Sequence, residues 1–167
     1  RPGGALMGMP FVVAVGAVNS GTVGVTYANP THQADDILLL CVEAAETGGV
    51  AAPSGGWAHI TGSPRPQGSN VSGINVLWLR ATAPGTTDPN VADPGNHQIG
   101  FVVVVRGCVT SGDPWDFTPV GDGQGAVTSF SADGGVTTGV ARLVCIAMAG
   151  NFDTLLDQWS SVAHGTL

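Results

Sequence analysis

Lysine does not occur in this chain, and the five arginines, Arg1, Arg65, Arg80, Arg106 and Arg142, are scattered along it. A protein that grips a phosphate backbone gathers its cations on one face or stripe, so the composition argues against nucleic acid as a partner. Charge of either sign is scarce, at 10% of residues with a net charge of −7. Glycine, serine, threonine and asparagine must then cover much of the surface, which suits a rigid component of a larger particle. Only three cysteines are present, Cys41, Cys108 and Cys145, each within or against an apolar run and none in a CxxC spacing. An odd number so placed argues against a disulfide framework or a zinc site, and the three read as small hydrophobes. No apolar run reaches the ~18–20 residues of a membrane-spanning helix, and the basic start of a signal peptide is missing, so no membrane insertion is expected.

What the chain does have is 26 glycines and 11 prolines set between short apolar runs, with 43% hydrophobic residues overall. Long helices tolerate that punctuation poorly. The runs "PFVVAVGAV", "GTVGVTYA", "ILLLCVEA", "INVLWLRATA", "IGFVVVVRGCV", "AVTSFSA" and "ARLVCIAMA" alternate with turn clusters such as "GGVAAPSGG" and "APGTTDPNVADPGN". That rhythm predicts an all-β fold, an antiparallel β-sandwich of jelly-roll type. Residues 1–20 are expected to form an N-terminal edge strand or docking segment, and residues 21–167 the sandwich domain. An internal echo pairs Cys41 and Trp57 with Cys145 and Trp159, which would make the sandwich two quasi-repeated halves. Aligned on the cysteines, the echo sets Arg142 opposite Leu38, so Arg142 is expected just outside the sheet edge. The second copy stops at Leu167 before any counterpart of "INVLWLRATA", so the natural chain is expected to continue.

Strand periodicity sorts side chains onto faces, because alternate residues point opposite ways. Leu38, Leu40, Val42 and Ala44 share one face of the third run, and Ile37, Leu39 and Cys41 share the other with Glu43. Residues 101–105 are likewise apolar on both sides. A sandwich buries one face of each sheet, so a second apolar face needs a loop, another domain or a neighbouring subunit over it. The neighbouring subunit is the favoured cover, and Ile37, Leu39, Cys41, Val102 and Val104 are the candidate oligomer interface.

Side chains able to carry chemistry are few. Adjacent strand residues cannot easily share a proton or a metal, so Asp35 and Asp36 read as a turn whose carboxylates accept backbone N–H groups. In "SGDPWDFTP", Asp113, Trp115 and Asp116 form a candidate sugar contact, since an indole stacks on a pyranose while carboxylates take hydroxyl hydrogens; a turn capped by the indole is the alternative. Trp57 with His59 is a second such platform. "GDGQGA" lacks the following Lys-Ser/Thr of a phosphate loop, and "NVS" at 70–72 is a glycosylation sequon by pattern only. His32, His59, His97 and His164 show no metal-ligand spacing, and neither a GxSxG elbow nor a Ser-His-Asp set stands out. No catalytic, metal or cofactor residue is expected, and the chain reads as non-enzymatic.

The motifs "DDILLLCVEAA", "PSGGWAHITGSPRPQG", "INVLWLRATA", "VADPGNHQIGFVVVVRGCVTSGDPWDFTP", "VTTGVARLVCIAMAG" and "QWSSVAHGTL" resemble, in the same order, a group of virion structural proteins of tailed bacteriophages and prophages. Its members are described as minor tail, tail-fibre or capsid-decoration-like proteins. The resemblance runs from about Gly24 to the end. It implies a β-sandwich module on the outside of a virion, carries over no catalytic residue, and implies further closing strands beyond Leu167. The expected function is a structural component, either a capsid decoration or cement protein or a tail-appendage module. The expected partners are other copies of the chain, as a homotrimer or lattice-bound oligomer, and virion proteins such as the major capsid or tail protein. The runner-up is a carbohydrate- or receptor-binding module with a host glycan as partner.

Overall fold

A computed structural model of the chain describes residues 9–45, 49–66, 73–93, 97–116, 142, 143 and 145. The described elements are all strands: β1 (Phe11–Val15), β2 (Asn19–Gly21), β3 (Val25–Thr26), β4 (Ile37–Ala44), β5 (Ala58–His59), β6 (Arg65–Pro66), β7 (Gly73–Arg80), β8 (Asn90–Val91) and β9 (Gln98–Arg106). Seven of them form one antiparallel sheet in the order β1-β9-β4-β7-β5, with β2 continuing the β1 position beside β9 and β6 continuing the β5 position beside β7. β3 and β8 pair as a second, small sheet. Each edge of the large sheet is thus two short strands rather than one long one, and a register shift between Val12 and Ala14 further breaks the β1 edge. Such interruptions disfavour edge-to-edge pairing. The all-β sandwich expected from the strand-and-turn rhythm is the observed fold, and β1 and β2 lie at one edge of its large sheet. The segments from which the internal echo was inferred, beyond Asp116, lie outside the described residues apart from Arg142, Leu143 and Cys145.

The main core lies on the face that β4 presents through Leu38, Leu40, Val42 and Ala44. The β4–β9 register sets Leu38 beside Val104, Leu40 beside Val102 and Val42 beside Gly100, while β7 adds Leu77 and Leu79. Val25, Tyr27 and Val91, from the small sheet and its flank, close over this face together with Val50, Trp57 and Ala81. Fully burying one such aliphatic side chain stabilises by about 1.5–3 kcal/mol, so this layer dominates the fold's stability. Gly100 is required here by close approach. A Cβ on it would stand 2.4 Å from the Cys41 carbonyl oxygen and 3.1 Å from both Tyr27 and Val42 side-chain carbons.

Polar groups are buried on this face only where they tie elements together. Gln98 Nε2 donates to the carbonyls of Val23, Val91 and Ala92, and its Oε1 accepts the Tyr27 hydroxyl at 3.0 Å. Burial, with the Glu43 carboxylate as a lesser cause, pushes the Tyr27 phenol up to about 12, so it remains a donor. Asn75 Oδ1 accepts the Val50 N–H at 3.0 Å, fastening the 49–57 segment to β7.

Asp35 and Asp36 part company at the start of β4. Asp35 is exposed, in the left-handed region at φ 68°. Asp36 is buried, and its carboxylate accepts the Gln33 N–H at 2.9 Å and two hydrogen bonds from Arg106, at 2.8 Å from Nε and 2.7 Å from Nη2. The hydrogen bonds from Arg106 hold the Asp36 carboxyl below its ordinary value, against the opposing effect of burial.

The pairing of Asp36 with Arg106 corrects one expectation. Val102 and Val104 do not share a face with Ile37, Leu39 and Cys41: they are fully buried beside Leu40 and Leu38 in the main core. The β9 residues on the second face are Ile99, Phe101, Val103 and Val105.

Two outcomes are expected. Because Asp36 is depressed in the folded state, its contribution to stability is complete above the unfolded carboxylate pKa of about 3.9 and lost as the pH falls through the folded value. Thermal unfolding should therefore show a fall in Tm below about pH 4 that is shallower in Asp36→Asn, with that variant already less stable at pH 7. Gly100→Ala should lose about 1–3 kcal/mol in urea unfolding, because the clash is with main chain that cannot swing aside.

Candidate interaction surface

The reverse side of the large sheet is apolar in register. Ile37 lies between Arg80 and Val105, Leu39 between Trp78 and Val103, Cys41 between Val76 and Phe101, and Glu43 between Ile74 and Ile99. β1 extends two of these rows, with Val12 beside Val105 and Val15 beside Val103. Four adjacent strands thus present one surface that is apolar except at its ends, Arg80 at one and Glu43 at the other. Glu43 is buried, with His97 Nε2 at 3.6 Å.

One end of this surface is covered by the chain itself. After β9 the backbone turns at Gly107, and Cys108 and Trp115 pack against the buried cluster of Ile37, Leu39 and Val105, as Trp78 and Val103 do. The Trp115 and Trp78 rings meet edge to face, with centroids 5.8 Å apart and planes at 77°. That arrangement aligns the positive edge of one ring with the negative face of the other. Arg80 locks the cover down by donating from its guanidinium to the carbonyls of Val109 and Gly112. Asp116 pairs with Arg142 Nε at 3.1 Å.

Away from that end several apolar side chains of the surface are exposed. Val12 is 47% exposed, Val15 60% and Ile99 43%, with Phe101, Val76 and Ile74 half-buried between them. Phe11 and Val18 are also exposed. Single exposed apolar side chains are ordinary, whereas a contiguous apolar area calls for a cover.

The residues expected to contact a sugar are placed differently. Trp115 is half-buried against Trp78 and Asp116 is engaged with Arg142, so of that set only Asp113 is exposed. Trp57 belongs to the main core, and His59 is held by the Val50 carbonyl at 2.9 Å and Ser63 Oγ at 3.2 Å. Neither pair forms an open aromatic platform. The three thiols are free, and burial raises Cys41 to about 11, with Cys145 as a lesser cause. Burial also raises Cys108, opposed by Arg80. Thiols so shifted are poor nucleophiles at neutral pH. Among the described residues, no group of three or more His, Cys, Asp or Glu side chains is arranged to hold a metal ion. No helix of the described residues is long and apolar enough to cross a membrane.

Strand periodicity sets Phe101, Val103 and Val105 opposite Val102 and Val104 without showing which group joins Ile37 and Leu39, and it does not single out Trp78, Val12 or Val15. A signal for the first three was present in the two charges. Pairing Asp36 with Arg106 across antiparallel strands forces Val104 beside Leu38 and Val105 beside Ile37. Comparison with protein-family models, curated proteins and solved structures finds no match to this chain.

Replacing Arg80 by Met keeps the aliphatic stem and removes both donors. The expected result is faster amide hydrogen exchange across 108–116, with the protection of β4 and β9 retained.

Proposed function

We propose that this protein is a non-enzymatic structural component of a bacteriophage virion, carried on the particle exterior as a capsid decoration or cement protein or as a tail-appendage module. The observation that carries this reading is the half-covered second face of the large sheet. Its apolar rows run from the Trp78–Trp115 contact out to exposed Val12, Val15 and Ile99. A sheet apolar on both sides is made to be enclosed, and among the described residues the cover formed by 107–116 closes one end. The near absence of charge on these rows favours association with surfaces of the same kind, while the net charge of −7 keeps free subunits apart elsewhere. The resemblance to tailed-phage virion proteins supplies the setting.

The occupant of the open face, on this reading, is a second copy of the chain in a homotrimer or a particle lattice, with the major capsid or tail protein beneath it. In a cyclic trimer each subunit meets its two neighbours through two different patches, and the apolar face would supply one side of each contact. The contact would centre on Ile99, Phe101, Val15 and Val12. Leu39 and Cys41 lie deeper in the same rows, and Ile37 is already under the loop.

Light scattering coupled to size exclusion, across a dilution series, tests the assembly. A mass three times that of the chain, reduced to one chain by Val15→Glu or Ile99→Glu with the strand signal in circular dichroism unchanged, is the expected outcome. A monomer at every concentration that also fails to bind intact phage particles in a co-sedimentation assay would overturn it.

A further inference from the structure

We propose that the open groove between residues 29–32 and 84–88 binds a neutral, hydroxyl-bearing ligand of the saccharide class. This groove is separate from the apolar face, and the proposal does not rest on the virion reading. It has a volume of about 520 Å³ and is lined by Asn29, Thr31, His32, Thr86, Thr87 and Asp88, together with Pro30, Pro84 and Gly85. Small-ligand sites span about 300–1,000 Å³, so a sugar ring is within its capacity.

The walls are held in place before any ligand arrives. Asn29 Nδ2 donates to the carbonyls of Thr86 at 2.9 Å and Thr87 at 3.0 Å, and the Asn29 N–H donates to Asp88 Oδ1 at 2.8 Å. His32 braces the same loop. Its Nε2 accepts the Thr86 N–H at 3.1 Å, which leaves Nδ1 as the protonated nitrogen, donating to the Pro30 carbonyl at 2.7 Å. Both ring nitrogens are therefore committed to structure, and the imidazole is a positioning group rather than a ligand contact.

One acceptor in this arrangement is left over. Asn29 Oδ1 is buried and has no hydrogen-bond partner, although the two hydrogens of its own amide are both used. A buried acceptor without a partner is costly, and a water or hydroxyl entering between the two turns, with a small shift of the loop to admit it, would satisfy it. Beside it stand the exposed Asp88 carboxylate and the exposed threonines 31 and 87.

The chemistry of the lining selects the ligand class. No arginine or lysine lines the groove, and Asp88 repels anions, so phosphates and acidic sugars are disfavoured. With a single carboxylate it falls short of the six to eight oxygens, several of them charged, that hold calcium. It has no aromatic or aliphatic wall beyond its prolines, so an apolar ligand gains little. Acceptors and hydroxyls on a rigid loop match a neutral ligand that offers several O–H donors. A second hollow, lined by Gly55, Trp57 and residues 82–87, shares 84–87 with the groove and would take an oligosaccharide longer than one ring.

The test is a chemical-shift titration of the 15N-labelled chain with glucose, galactose, N-acetylglucosamine, lactose and maltose into the tens of millimolar. At least one of these is expected to move the amide signals of 29–32 and 84–88 saturably. Thr87→Val, which removes a hydroxyl without touching the Asn29 bonds, should weaken that sugar by about threefold to tenfold, and Asp88→Ala by at least as much. Three results would overturn the proposal: no saturable shift in those amides with any of the five sugars, the same shifts produced by calcium chloride alone, or undiminished binding in a folded Thr87→Val.

Discussion

β4 is hydrogen-bonded to β7 on one side and β9 on the other along its whole length, and it is apolar on both faces until Glu43. A strand in that position cannot leave either face to water without losing the burial that stabilises it, so two separate covers are needed. The small β3–β8 sheet, with Val50 and Trp57, supplies one. The segment after β9 supplies part of the other, which is why Gly107 turns the chain back and why Arg80 spends its guanidinium on two loop carbonyls. Among the described residues, that segment reaches the Ile37–Leu39 end of the second face.

The few buried polar groups then decide how the apolar layers align. Leucine and valine pack acceptably in more than one register, whereas a buried carboxylate or amide does not. Asp36 with Arg106 sets one end of the β4–β9 ladder, and Gln98, bonded to Tyr27, Val23, Val91 and Ala92, sets the other. Between these two anchors Gly100 lets the backbone of β9 lie close under Tyr27. Specificity thus resides at the ends of β9 and stability in its middle.

Much of the fold was legible because its signals are local. Glycine and proline spacing marked the turns, and the apolar runs marked β1, β4, β7 and β9. The face of β4 could be read within the strand, since Leu38 to Ala44 alternate plainly. Matching a face of β4 to a face of β9 is a different kind of question, because it depends on register between distant segments; Val102 and Val104 were misassigned for that reason. Trp115 and Trp57 posed a related problem. An indole beside turn residues reads equally as a platform or as a plug, and only Trp78 beneath Trp115, and the core around Trp57, distinguish the two. The 29–32 and 84–88 groove carried no motif, as it is made by two turns that meet only in the folded chain.

The strand order has a consequence for how the molecule is made. β4 leaves the ribosome well before β9, its partner along one whole edge, which follows roughly sixty residues later. At about 5–20 residues per second, that is a wait of several seconds. During it, β4 and β7 form at most half a sheet whose leucines and valines lack their covers, and folding dominated by such distant pairings is slow in any case. Yield in a heterologous host should therefore be limited by what happens to the nascent chain before Arg106 emerges to meet Asp36, more than by the stability of the finished sandwich.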